Sequence, residues 1–336
     1  MDWVIEMDVK KVAFVGLRHG HIVSLYQRIK NDQRFEIVAI CEEDEKAAAE
    51  AAANWNIQST HNSYEAMLND VEFDILAVGD YYGIRGKRII AAMKKGKHVI
   101  GDKPLCTDLQ ELAEIRELAE KNALKVGEML DFRDYAPVRA AKELIDSGAM
   151  GEIHAINFGG QHPLNYGTRP WWYFEAGKHG GTINDIAIHG LDVVEYLTGN
   201  PITELNAART WNAFADKEPN FNDSAQAMFT LSNGCGCTAD VSYAAPMKFG
   251  FDSPFYWRFT IWGKNGIAEF CARDKAVHFY DNDSGEIRTI PPVSKTLSDY
   301  LEIFVNELDG KVEERGTEHL LNISEKALKL QAMADK

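Results

Sequence analysis

Runs of consecutive apolar residues alternate with helically spaced ones through the first 130 residues. Val12-Ala13-Phe14-Val15, Ile37-Val38-Ala39-Ile40, Ile75-Leu76-Ala77-Val78 and His98-Val99-Ile100 read as strands buried on both faces. Leu124-Lys125-Val126 reads as a further strand closing the set. Between them, Ile84 to Lys95 has helical spacing, and so has the segment after Thr107, with Leu109, Leu112, Ile115 and Leu118 apolar. Thr107 and Gln110 form a capping box for that second helix. Strand, helix, strand at this rhythm predicts a parallel sheet wound with helices on both sides.

Near residue 150 the pattern changes. After a helix over Val138–Ser147, strand-like runs follow in series: Glu152–Phe158, Thr203–Trp211, Ala225–Leu231, Thr238–Tyr243, Phe255–Trp262, Ile267–Phe270, Val277–Tyr280 and Ile287–Ile290. Gly, Asn and Asp turns between them predict one large, mainly antiparallel open sheet. A helix interrupts it near 181–197, and two more are expected near 297–309 and 317–334. The fold class is therefore α/β plus α+β: residues 1–130 form a nucleotide-type domain and 131–336 a second, sheet-based domain. The C-terminal helix is expected to pack back on the first.

At 336 residues, either half can bury its own core. The net charge of −15 repels phosphate backbones and anionic lipid, so neither nucleic acid nor a membrane surface is expected as partner. The start, Met1-Asp2-Trp3-Val4-Ile5-Glu6, lacks the basic, then apolar, character of a signal peptide. Five scattered cysteines give no disulfide framework and point to a reducing cytoplasm. A large sheet without obvious covering helices suggests a homo-oligomer, a dimer or tetramer, joined through that sheet.

The first strand runs into Gly16-Leu17-Arg18-His19-Gly20-His21, where a dinucleotide fingerprint would read Gly-x-Gly-x-x-Gly. Only Gly16 matches; Arg18 and His21 occupy the later glycine positions, and Gly20 is one place early. The context is better than the motif. The turn follows a strand and opens a helix, and Glu42 stands 26 residues after Gly16, where a ribose-binding acid is expected. A carboxylate there repels a 2′-phosphate, and Glu43 adds to the repulsion, so NAD is favoured over NADP. Arg18 could contact the pyrophosphate through charge; the lesser alternative is that Arg18 and His19 are solvated loop residues.

Gly101-Asp102-Lys103-Pro104-Leu105 follows the fourth strand, at the end where ligands bind in such sheets. Pro104 disfavours a helical Lys103, so the lysine projects from an extended turn and could stabilise an oxyanion. In Gly180-Gly181-Thr182-Ile183-Asn184-Asp185-Ile186-Ala187-Ile188-His189-Gly190-Leu191-Asp192, the spacing of Asp185, His189 and Asp192 puts all three on one helical face. Ile186, Leu191 and Val194 lie opposite, which predicts an amphipathic helix with a polar stripe. A histidine suits proton transfer from an alcohol near neutral pH, and a nearby carboxylate can orient it. Thr182 with Asp185 also resembles a capping box.

Together these residues resemble the Gfo/Idh/MocA oxidoreductases over nearly the whole chain. The supporting motifs are the Gly16 turn, Glu42, Lys103-Pro104 and the Gly-Gly-Thr-x-x-Asp-x-x-x-His-x-x-Asp helix, with Ile261-Trp262-Gly263-Lys264-Asn265-Gly266 resembling a late strand–turn–strand. The resemblance implies a Rossmann NAD-binding domain, followed by a domain for substrate binding and oligomerisation. It implies hydride transfer between NAD and a secondary alcohol of a sugar, an inositol or a related polyol. His189 would be the acid/base, Lys103 the polariser and Asp185 a partner of substrate or histidine. The family also includes glycosidases that oxidise the sugar transiently with NAD, and non-catalytic sensors.

The cofactor residues implied are Gly16, Arg18, His19, Gly20, His21, Glu42, Asp80, Asp102 and Lys103. Asp80, in Gly79-Asp80-Tyr81-Tyr82-Gly83, departs from the small hydroxyl residue and prolines usual in the family, and is expected to pair with Arg18. Lys103, Arg169, Trp172, Asp185 and His189 are the substrate candidates. Arg169 and Trp172 belong to an aromatic run that could form a pocket wall or core. Lys178 and His179 could line the substrate mouth. Cys235-Gly236-Cys237 reads as a strand, and His19, His21, His162 and His179 are too dispersed to argue for zinc, so no metal is expected.

Overall fold

The computed structural model describes residues 9–293 and 299–336. The N-terminal hexapeptide and the start of the helix expected at 297–309 lie outside the described residues. The chain divides into two compact units. One runs to Met129 and takes in Ile303–Leu320; the other comprises Leu130–Glu302 and Leu321–Lys336. No helix among the described residues is long and apolar enough to cross a membrane.

The first unit alternates strands and helices: β1 (Lys10–Val15), α1 (His21–Lys30), β2 (Phe35–Cys41), α2 (Glu45–Trp55), α3 (Tyr64–Asp70), β3 (Ile75–Val78), α4 (Tyr82–Lys94), β4 (His98–Gly101), α5 (Leu109–Asn122) and β5 (Val126–Glu128). The sheet has the order β2-β1-β3-β4-β5, with every pair parallel. Its strands read as unbroken apolar runs because side chains on both faces are covered: all four residues of β3 are buried. A parallel bridge between Cys41 and His61 adds a one-residue remnant of a strand outside β2. No apolar run marks that segment, so the periodicity of the sequence could not disclose it. Strand order reverses between β1 and β3, and in such sheets ligands bind at the carboxyl ends of the strands flanking that point.

Two local expectations are corrected. Asp108, rather than Thr107, caps α5, because its carboxylate accepts from the Gln110 and Glu111 N–H groups at 2.8 and 3.0 Å. The buried face of α5 is Leu112, Ile115 and Ala119, a 3–4 spacing that leaves Leu118 half-buried.

The second unit contains α6 (Ala136–Asp146), β6 (Ile153–Pro163), α7 (Ile188–Thr198), β7 (Ile202–Trp211), β8 (Ser224–Leu231), β9 (Gly236–Ala245), β10 (Arg258–Gly263), β11 (Gly266–Cys271), β12 (Val277–Asp281) and β13 (Ile287–Ile290). These strands make an eight-stranded sheet, β13-β12-β11-β10-β6-β9-β8-β7, antiparallel except where β6 pairs with β9. Near the C-terminus, α8 (Tyr300–Leu308) and α9 (Thr317–Ala334) are each shared between the units. β8 and β9 alternate buried and exposed positions, with Gln226, Met228, Thr238 and Asp240 on the exposed face. The same alternation buries Cys235 and Cys237 and exposes Gly236, as expected of a strand.

The segment before α7 corrects a further expectation. Ile183–Ala187 is a π-helical turn that passes into α7. Every residue from Ile183 to Val194 is buried, so this helix has no solvent-facing stripe and its polar groups point into protein. Thr182 does not cap it: its hydroxyl donates to the Asn222 carbonyl instead. Gly181 has φ +97°, which a side chain would strain, so the Gly-Gly pair serves this entry turn. Gly190 lies against Phe158 of β6, at a distance where a Cβ would meet the ring at 2.1 Å.

Candidate active site

In the first unit the polar groups gather at the carboxyl ends of the strands. Gly16, at φ +77°, brings the β1 turn so close to the β3 loop that a Cβ would lie 2.5 Å from the Asp80 backbone. His19 N–H donates to the Gly79 carbonyl across the same gap. Over this contact Arg18 bonds Glu42 through Nε and Nη2 at 2.9 and 2.8 Å, and its Nη1 lies 3.4 Å from Asp80. The expected Arg18–Asp80 pair is therefore present. Burial pushes the Asp80 carboxyl up, against the pull of Arg18 and of Arg88 at 3.6 Å. Reversing each charge singly and then both should give strongly non-additive changes in NAD affinity, read by fluorescence titration. Strict additivity would contradict a working contact.

Glu42 holds more than the sequence suggested. Besides Arg18, its carboxylate accepts from the Leu17 and Asp44 N–H groups at 2.7 and 2.9 Å. It ties the turn after β1 to the end of β2. Glu43 pairs in the same way with Arg88.

A second cluster surrounds Asp102, which is wholly buried. His19 Nδ1 abuts its carboxylate, His21 Nδ1 lies 3.0 Å away, and Arg85 Nη2 donates at 3.0 Å. Burial opposes the Asp102 charge, but His19, His21 and Arg85 outweigh it and hold the carboxyl well below its ordinary range. Burial also pushes His19 down to about 4, against the pull of Asp102. His19 and His21, far from dispersed, share one carboxylate with ligand atoms within 4.8 Å. Arg85 already neutralises that carboxylate, and the cluster reads as an anchor for the turn.

Arg85 also builds the lysine turn. Its guanidinium donates to the carbonyls of Asp102, Lys103 and Pro104 at 2.7, 2.9 and 3.1 Å, and to that of Asp80 at 2.7 Å. Lys103 is buried, with Nζ 5.9 Å from the centre of the Tyr82 ring. Sequence reasoning missed Arg85, which stands on the buried face of α4 with Tyr82, Gly86 and Ile89.

In the second unit, Asp185 of the π turn meets Tyr243 of β9 and His179. The Tyr243 hydroxyl donates to Asp185 Oδ2, and His179 Nε2 lies 2.9 Å from that hydroxyl and 3.3 Å from the carboxylate. His189, the second residue of α7, has the Trp257 ring 5.6 Å away. Asp192 is bound by Arg133, with Nε at 2.6 Å from Oδ2, both side chains being buried. It thus serves the fold, since removing one partner of such a pair costs about 3–5 kcal/mol. Arg169 spends Nε and Nη2 on the Leu164 and Pro163 carbonyls and stacks over Tyr173 and Tyr243. Trp172 is buried and stacks on Tyr173 at 4.2 Å, while Trp171 is exposed beneath Lys178. Tyr243 and Trp257 carried no sequence signal: each is one aromatic residue among many in the strand-rich half.

Comparison with known proteins matches each unit to a domain of one family. The family model for the oxidoreductase family with an NAD-binding Rossmann fold matches residues 10–129, and the GFO/IDH/MocA C-terminal domain matches residues 138–269. The chain belongs to the Gfo/Idh/MocA oxidoreductases. It is 23% identical to D-glucoside 3-dehydrogenase of Escherichia coli (strain K12), across 90% of this chain and 88% of that one. It is 24% identical to 1-carboxy-3-chloro-3,4-dihydroxycyclo hexa-1,5-diene dehydrogenase of Comamonas testosteroni, over 74% of this chain but only 61% of the Comamonas protein's length. A solved Thermotoga maritima chain superposes with a TM-score of 0.81 at 26% identity, over 97% of this chain and 98% of that one.

As a Gfo/Idh/MocA oxidoreductase the chain takes NAD, and the first unit fits that cofactor. The Gly16 turn has the tight left-handed geometry such a loop needs. Helix α1 starts at this turn with no side-chain cap and no acid in its first turn, and space is open above Gly20, so its N-terminus suits a pyrophosphate. Glu42 stands at the end of β2 as a ribose-binding acid should, although Arg18 covers its carboxylate.

Proposed function

We propose that this oxidoreductase moves a hydride between NAD and a secondary alcohol of a sugar, cyclitol or related polyol. The observation that carries the reading is the buried amine of Lys103, held at the end of β4 by a turn whose carbonyls Arg85 has taken. The names of two relatives, D-glucoside 3-dehydrogenase and levoglucosan dehydrogenase, support a sugar.

When bound, NAD supplies the hydride acceptor, the C4 carbon of its nicotinamide. His189 takes the hydroxyl proton while the C–H bond gives up its electron pair, so the alcohol becomes a carbonyl and loses two electrons and two hydrogens. Lys103 hydrogen-bonds the alcohol oxygen and stabilises the negative charge that grows on it. Asp185 binds a neighbouring hydroxyl or orients His189. Gly16, Arg18, His19, Gly20, His21, Glu42, Asp80 and Asp102 shape the cofactor side, and Arg169 and Trp172 support the substrate side. Glu42, Glu43 and Asp80 together put more carboxylate than cation near the end of β2, which favours NAD over NADP.

We extend the proposal to setting and assembly. All five cysteines are free, which fits a reducing cytoplasm. The exposed face of β8 and β9 is suited to a second copy of the chain.

A panel of sugars, inositols and their keto forms, followed by NADH absorbance, tests the function. At least one secondary alcohol should yield stoichiometric NADH. Cleavage of a chromogenic glycoside without net NADH, or NAD binding with no turnover of any substrate, would overturn it.

A further inference from the structure

We propose that Tyr243 and His179 are positioning residues that fix the Asp185 carboxylate by a shared set of hydrogen bonds. This rests on the reading of Asp185 as a group that meets the substrate. Neither residue belongs to the Gly-Gly-Thr-x-x-Asp-x-x-x-His-x-x-Asp motif: Tyr243 is 58 residues away in sequence, on β9.

The proton positions follow from the contacts. The Gly181 N–H donates to His179 Nδ1 at 3.3 Å, so Nδ1 carries no proton and a neutral His179 carries its proton on Nε2. Nε2–H then faces the Tyr243 oxygen at 2.9 Å and Asp185 Oδ2 at 3.3 Å. Because that oxygen accepts from His179, the Tyr243 O–H is directed to Asp185. Burial, with Asp185 beside it, pushes the Tyr243 hydroxyl well above its ordinary range, so it remains a donor throughout the working pH span.

The rest of the surroundings reinforces this arrangement. The Arg169 guanidinium lies 4.9 Å from the Tyr243 ring centre, and the Tyr173, Phe221 and His162 rings pack around Tyr243 with centroids 6.3, 5.1 and 6.3 Å away. Tyr243, His179 and Asp185 are each at least nine-tenths buried. The backbone contributes as well: Gly181 both accepts from the Asp185 N–H at 3.0 Å and fixes the His179 tautomer. Its φ of +97° thus shapes the turn that holds the Asp185 backbone and the His179 ring. Hydrogen bonds donated to a carboxylate favour its charged form, so removing them must raise the Asp185 pKa.

The experiment is a carboxyl titration by difference infrared spectroscopy, with the Asp185→Asn variant identifying the Asp185 band. Tyr243→Phe should move the Asp185 midpoint up by about one pH unit. His179→Ala should move it up as well, and His179→Gln, which keeps an N–H donor, should restore much of the difference. In turnover with a substrate found in the polyol panel, Tyr243→Phe should lower kcat by about 10²-fold with KM nearly unchanged. It should also shift the acidic limb of the kcat/KM profile upward. If Tyr243→Phe does not fold, the two His179 variants carry the same titration. An Asp185 midpoint unmoved in Tyr243→Phe or His179→Ala would overturn the proposal. The titration needs no turnover, so a wild type that oxidises no alcohol would sink the dehydrogenase reading and leave this inference standing or falling on its own midpoint.

Discussion

Replacing Lys103 by alanine is expected to lower alcohol oxidation by about 10³-fold, with NAD affinity changed no more than a few-fold. A single well-aimed donor to a developing oxyanion is worth about 3–4 kcal/mol of transition-state stabilisation. The turn itself should survive, because Arg85 holds it through main-chain carbonyls that alanine retains. Steady-state kinetics and a fluorescence titration with NAD separate the two quantities. Normal turnover in this variant would remove Lys103 from the chemistry.

The second large effect is expected at His189. His189→Ala should reduce kcat by about 10²–10⁴-fold, the usual worth of a positioned acid/base. It also leaves a space beside Trp257 that free imidazole can enter. Added imidazole should therefore recover part of the rate in a concentration-dependent manner, with thermal unfolding showing the variant folded. Full activity without imidazole would rule out the assigned role.

The structural settings of both residues were legible in the sequence: a strand end before a proline for Lys103, and a Gly-Gly turn entering a helix for His189. The architecture was legible for a related reason. A sheet covered on both faces writes continuous apolar runs, as at Ile75–Val78, and a sheet with one exposed face writes alternation, as at Ser224–Leu231. What escaped was set by distant partners or by hydrogen-bond geometry without a compositional trace. The π turn at Ile183–Ala187 has the same residue types as an α-helix. The duty of Asp192 depends on Arg133, 59 residues earlier, and that of Asp185 on Tyr243, 58 residues later. The Glu42 carboxylate was correctly placed at the end of β2, but its engagement with Leu17, Arg18 and Asp44 follows from the path of the turn.

The central claim is that Lys103 and His189 serve one hydride-transfer step on one alcohol. Single-turnover NADH formation in wild type, Lys103→Ala, His189→Ala and the double variant tests it most directly. If the two groups work as a unit, the double variant should be about as slow as the slower single variant. Losses that multiply in full, or a double variant that still forms NADH at the wild-type rate, would contradict it.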